Sequence, residues 1–124
     1  MTLHLDQYRA ERARIIDRFP VLFADIGRCG FSPPSGWLGI VARLSEKLAV
    51  DGSIRCLQVK SKFGGLRYYL GSAPEWAHAA VSEAEAETAH TCEQCGSGEA
   101  SESANERGWL STLCAACKAE MERE

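Results

Sequence analysis

A chain of 124 residues with 45% hydrophobic and 25% charged residues has ordinary globular composition, enough for one domain or for one domain with a small appended module. No apolar run approaches the roughly 18 residues of a membrane span, and the start, Met1-Thr2-Leu3-His4, lacks the basic charge and apolar core of a secretory signal. The net charge of −3 is unevenly spread: residues 1–70 hold eleven lysines and arginines against six acids, and residues 71–124 three against eleven. The acidic second half is a poor grip for DNA phosphates.

Taken in chain order, residues 5–19 read as a helix, with Leu5, Tyr8, Ile15, Ile16 and Phe19 near one face and Pro20 ending it. Residues 21–35 are broken by Gly27, Gly30, Pro33 and Pro34, and Val21, Leu22, Phe23 and Phe31 are expected to pack from this loop onto the core. Ser35 is placed to cap the next helix. There Trp37, Ile40, Val41, Leu44 and Leu48 recur at helical spacing, while Arg43, Ser45, Glu46 and Lys47 take the other side.

Residues 53–62 and 66–71 read as two strands of a hairpin, with Phe63-Gly64-Gly65 as the turn and the glycine pair supplying positive φ. A lone hairpin is marginal in water, so one face is expected against Trp37, Ile40 and Trp76. Residues 74–90 form a third helix, with Ser72 as candidate cap and Ala73, Trp76, Ala77, Ala80, Val81, Ala84 and Thr88 as its inner stripe. Residues 97–108 are polar and acidic and are expected to be a loop. Residues 108–113 suggest a short strand, and residues 118–124 a short helix.

The strongest chemical signal is Cys92-Glu93-Gln94-Cys95, eighteen residues, then Cys114-Ala115-Ala116-Cys117. Two C-x2-C pairs at this separation are a zinc pattern. Each two-residue spacer turns both sulfurs toward one point, and Gly96 permits the tight turn of a knuckle. Cys92, Cys95, Cys114 and Cys117 are therefore predicted to hold one Zn²⁺ per chain. Four thiolates close the coordination sphere, so the ion is structural rather than catalytic. The alternatives are disulfides, a redox C-x-x-C, or His90 in place of one thiol. A knuckle, a hairpin and a helix carrying the second pair resemble a treble clef, and a zinc ribbon is the other arrangement. Cys29 and Cys56 remain outside the set, either as thiols suited to a reducing cytosol or as a pair with each other.

The predicted fold class is α+β. A small helical core with a β-hairpin, residues 1–90, is followed by a four-cysteine zinc finger, residues 91–124, with no Pro/Gly linker between them, so the two are expected to pack together. The second informative stretch is the hairpin. Arg55, Lys60, Lys62 and Arg67 carry four positive charges with no acid among them, and Phe63, Tyr68 and Tyr69 are interleaved. Such a mixture suits single-stranded nucleic acid or a protein interface. It is equally the pattern of cations in water over aromatics that pack inward. No G-x-S-x-G elbow, phosphate loop or isolated carboxylate pair is present, so no catalytic residue and no small-molecule substrate are predicted.

The succession of Gly36-Trp37, the segment from Gln58 through Lys62-Phe63-Gly64-Gly65-Leu66-Arg67 to Tyr69, an alanine-rich helix, Cys92-Glu93-Gln94-Cys95-Gly96 and the strand into Cys114 resembles a family of small phage and prophage accessory proteins. The resemblance spans residues 10–118. In many members a histidine stands where this chain has Cys117, which leaves a zinc site intact. The resemblance implies a phage origin and a bacterial cytoplasm, and supplies no reaction. Together these features lead to the expectation of a non-enzymatic accessory protein that binds a bacterial host protein, such as a component of a defence system. Arg55, Lys60, Lys62, Phe63, Arg67 and Tyr69 would be the contact residues. The alternative is a nucleic-acid-binding regulator that uses the same hairpin.

Overall fold

The computed structural model describes residues 4–27 and 30–122. Cys29, whose pairing with Cys56 was one alternative, and the last two residues of the final predicted helix lie outside the described residues. The architecture is α+β: among the described residues there are four α-helices, a three-stranded sheet and a separate two-stranded sheet.

Helix α1 is Leu5–Arg18. It opens with the Gln7 side-chain oxygen accepting the His4 N–H at 3.1 Å, and it ends where Phe19 leaves helical geometry ahead of Pro20. Ile15 and Phe19 enter the core, whereas Leu5 stays exposed. The turns that follow place Leu22 and Phe23 in the core, and Val21 points outward instead of packing. Phe23 meets Phe31 edge to face at 5.5 Å. The irregular stretch also contains a strand that periodicity could not reveal: β1, Phe31–Ser32, runs parallel to the hairpin, with Phe31 opposite Val59.

A 3-10 turn, Ser35–Trp37, leads into α2, Leu38–Leu48. Ser35 does not cap it; its hydroxyl donates to the Gln94 carbonyl at 3.1 Å. Ser45, expected on the polar side, is fully buried and shares a 2.9 Å hydrogen bond with the Tyr68 hydroxyl. A buried tyrosine needs such a partner, and the 3.6-residue period cannot distinguish a buried serine from an exposed one.

Strands β2, Cys56–Lys62, and β3, Gly65–Leu70, pair antiparallel, and the sheet order is β1-β2-β3. Leu57 is the extra residue of a bulge and is exposed, so it adds nothing to the core. Lys62 pairs with Gly65, which leaves a two-residue turn. Positive φ falls on Phe63 (53°) and Gly64 (78°), not on the glycine pair. Helix α3, Glu75–Thr88, begins at Pro74 with no side-chain cap, so Ser72 plays no capping part. Ala77, Val81 and Thr88 are its buried residues, and Trp76 is 45% exposed, which removes it from the inner stripe. Ala77, Val81 and Thr88 recur at i, i+4 and i+11, and Trp76 is turned about 100° away from that stripe. Helix α3 also covers the sheet edge: Leu66 N–H donates to Thr88 Oγ1 at 3.4 Å and Tyr68 N–H to Glu85 Oε2 at 3.2 Å. Trp37 and Ile40 join Val59, Leu66 and Tyr68 in one continuous core.

Residues 101–104, expected within a loop, form β4, Ser101–Ala104, which pairs antiparallel with β5, Leu110–Leu113. Helix α4, Ala115–Glu122, starts three residues earlier than expected. No helix among the described residues is long and apolar enough to cross a membrane.

Candidate metal centre

The C-terminal segment runs knuckle, hairpin, helix. In the knuckle the Gly96 N–H donates to the Cys92 carbonyl at 2.9 Å and the Cys92 N–H to the Ser97 carbonyl at 2.8 Å. Gly96 itself takes a φ of 83°, which disfavours a side chain. Cys114 directly precedes α4 and Cys117 lies in its first turn, where its N–H points at Cys114 Sγ from 3.4 Å. Strand pairing between Ser101 and Leu113 then carries the second pair back over the first.

All four sulfurs lie within 4.8 Å of one another. Cys95 Sγ and Cys114 Sγ are 3.7 Å apart, and a tetrahedron with bonds of about 2.3 Å has edges of about 3.8 Å. The four thiols are free rather than disulfide-bonded, and His90 is exposed and outside the group. The local field favours thiolate at one member. Burial opposes ionisation of Cys92, but N–H groups of Cys95, Cys114 and Gln94 outweigh it and bring the thiol down to about 7. Burial and the neighbouring sulfurs push Cys117 up. Three buried sulfurs and the partly exposed Cys95 sulfur, gathered this closely, suit one tetrahedral thiophilic ion such as zinc or iron.

The 3-10 turn clasps this knuckle. Gly36 N–H donates to the Glu93 carbonyl at 2.8 Å, and the Trp37 indole N–H to the Thr91 carbonyl at 2.8 Å. A Cβ added to Gly36 would overlap the Cys92 carbonyl oxygen and approach the Glu93 and Gly96 backbone. From the other side, Thr112 Oγ1 donates to the Gly64 carbonyl at 2.7 Å, both groups being buried. Finger and core are thus bonded at the Trp37 clasp and at the hairpin tip. Ligand spacing does not single out these residues as part of the site. The available signal was a glycine set between Pro33-Pro34-Ser35 and a tryptophan, a place where backbone approaches backbone.

The predicted contact residues divide. Strand register puts Lys60, Lys62, Arg67 and Tyr69 on the outer face of the sheet, with Lys60 directly opposite Arg67 and Gln58 opposite Tyr69. Phe63 sits at the tip, 70% exposed, with the Lys62 ammonium 5.5 Å from its ring centroid. Arg55 lies before the strand and is tied to the Gly52 and Ile54 carbonyls. Tyr68 faces inward and is buried. Among the described residues none of the hairpin cations forms an ion pair; the salt bridges join Arg14 to Glu11, Arg18 to Glu46 and Arg43 to Glu87. Like charges opposed across a ladder destabilise it, and left-handed φ at a bulky non-glycine residue is rare. Cys56, by contrast, is fully buried, and burial pushes its thiol up to about 12.

No family model, curated protein or solved structure matches this chain.

Proposed function

We propose that the chain is a non-enzymatic binding protein in which a structural zinc, held in a treble-clef-like finger, braces a basic and aromatic sheet face that docks a protein partner. The observation that carries this is Phe63. An exposed phenylalanine occupies a left-handed turn position where Asn or Gly is strongly preferred, and strained residues of this kind cluster at functional sites. It crowns Lys60, Lys62, Arg67 and Tyr69, and exposed aromatic and arginine side chains dominate interface energetics. The resemblance to phage accessory proteins points to a bacterial host protein as the partner and to the host cytoplasm as the place, with inhibition of a defence component as the consequence.

The test is a double substitution, Lys62→Glu with Arg67→Glu, in protein shown to retain its metal. A host protein that co-purifies with the wild type and not with the double variant supports the proposal. The nucleic-acid reading draws on the same open face. It prevails if single-stranded DNA or RNA binds the wild type more tightly than the roughly 10⁻⁴–10⁻⁶ M of non-specific association at physiological salt. Elemental analysis giving one zinc per chain supports the zinc assignment; a red, iron-containing protein contradicts it.

A further inference from the structure

A second surface lies on the acidic half, and the argument for it does not depend on the basic face. In the two-stranded sheet, Thr112 turns its main chain away from β4: its carbonyl accepts the Glu93 N–H at 2.9 Å and its N–H donates to Glu93 Oε1 at 2.7 Å. The Glu102–Thr112 pair is therefore of the non-hydrogen-bonded kind. The alternation agrees at the next turn, where the Asn105 N–H donates to the Trp109 carbonyl at 3.0 Å. It follows that the N–H and C=O groups of Glu102 and Ala104 point outward from the sheet. The chain satisfies the preceding position itself, since the Ala100 N–H donates to the His90 carbonyl at 3.1 Å. Among the described residues nothing bonds to the main chain of Glu102 or Ala104.

The two sides of this edge differ. On one, Glu102, Leu110 and Thr112 lie against the hairpin tip around Gly64. On the other, Trp109, Ser111 and Leu113 open into a groove of about 410 Å³ bounded by Lys118 and Met121 of α4. Trp109 is 74% exposed and Met121 46% exposed. The indole is presented by a fixed turn: the Asn105 side chain accepts the N–H groups of both Arg107 and Trp109, at 2.9 and 3.0 Å. Glu99, Glu102 and Glu106 run along the strand and its flanks, with Arg107 the one cation between residues 97 and 108. Glu93 and Glu122 add carboxylates to the groove.

We propose that the open edge of β4 is a docking strand for an extended, lysine-bearing segment of a partner protein, which adds as a third strand and seats alternate apolar side chains in the Trp109–Met121 groove. Main-chain bonds to Glu102 and Ala104 supply the pairing, and alternate side chains supply specificity, as in strand addition generally. The carboxylates select lysine over acidic residues.

The experiment titrates the metal-loaded full chain with a blocked hexapeptide alternating lysine and valine, read by amide chemical shifts and by the Trp109 indole N–H resonance. The Glu102 and Ala104 amides are expected to shift. A glutamate–valine counterpart, or the lysine peptide N-methylated at alternate residues, should bind about tenfold more weakly or worse, as expected when one or two hydrogen bonds or charge contacts are lost. Ala104→Pro removes one outward N–H without touching the β4–β5 ladder and should weaken binding similarly while metal content is kept. If that variant loses its metal, the N-methylated peptide alone decides. Equal binding of the glutamate or N-methylated peptide, or unmoved amides at Glu102 and Ala104, overturns the proposal. So does concentration-dependent dimerisation through these amides, which would assign the edge to a second copy of this chain.

Discussion

Replacing Gly36 by Ala tests whether the metal knuckle and the helical core are one cooperative unit. Gly36 does not occupy left-handed backbone, so alanine is conformationally acceptable there. On backbone entropy alone it would stabilise the chain by about 0.4–1 kcal/mol. The surroundings reverse that sign. The new methyl would overlap the Cys92 carbonyl oxygen and lie 2.7 Å from the Glu93 carbonyl carbon and 2.8 Å from the Gly96 nitrogen. All three are backbone atoms of the knuckle, and none can swing aside as a side chain would. To reach ordinary contact the 3-10 turn and the knuckle must part, and parting lengthens the 2.8 Å bonds from Gly36 N–H to Glu93 and from the Trp37 indole to Thr91. Overpacking costs about 1–3 kcal/mol, and a buried indole N–H left without its partner about 1–3 kcal/mol more. The net loss is roughly 2–5 kcal/mol, a large share of the 5–15 kcal/mol typical of a domain. Urea unfolding in a Trp76→Phe, Trp109→Phe background makes Trp37 the sole reporter. We expect the midpoint to fall and metal affinity to fall with it. A loss below about 1 kcal/mol with full metal retention would refute the clasp.

Metal removal by chelation, or Cys92→Ala, should unfold the finger and also red-shift Trp37 emission, because structural metal binding is folding free energy and the indole is bonded to the knuckle; an unchanged Trp37 spectrum in the apo protein contradicts this. Phe63→Asn should raise stability by about 1 kcal/mol by relieving left-handed strain while weakening partner binding, measured by thermal unfolding and by co-purification; a destabilised variant would show that the phenylalanine holds the fold. Cys56 is a thiol whose folded value, about 12, exceeds the ordinary 9.0. The unfolded chain therefore releases that proton first as pH rises. The associated stability is complete below about pH 9 and is lost progressively toward pH 12, and Cys56→Ala should flatten this alkaline decline in a denaturation series. Native Cys56 should also resist alkylation at pH 8, as read by mass spectrometry.

Features encoded within a few residues of chain were legible without the fold. The C-x2-C spacing brings each sulfur pair to a point, so Cys92, Cys95, Cys114 and Cys117 were identifiable, and the structure gathers all four. Apolar residues at helical spacing from Trp37 to Leu48 defined α2, and alternation defined most of β2 and β3. Features set by distant neighbours were not. Ser35 bonds to Gln94 and Ser45 to Tyr68, so neither behaves as its local pattern implied. Trp76 stays out of the core because the inward stripe of α3 runs through Ala77, Val81 and Thr88, and a neighbouring helix position is turned about 100° away. Positive φ moved from the glycine pair to Phe63 and Gly64 because register is decided across the ladder, where Lys62 meets Gly65. Two residues of β1 are too few to show a period, and β4 becomes a strand only by pairing with β5. Local sequence carries ligand spacing and one-face periodicity; which side chain finds which partner is settled only when segments tens of residues apart meet, as Gly36 and Trp37 do with the knuckle at residues 91–96.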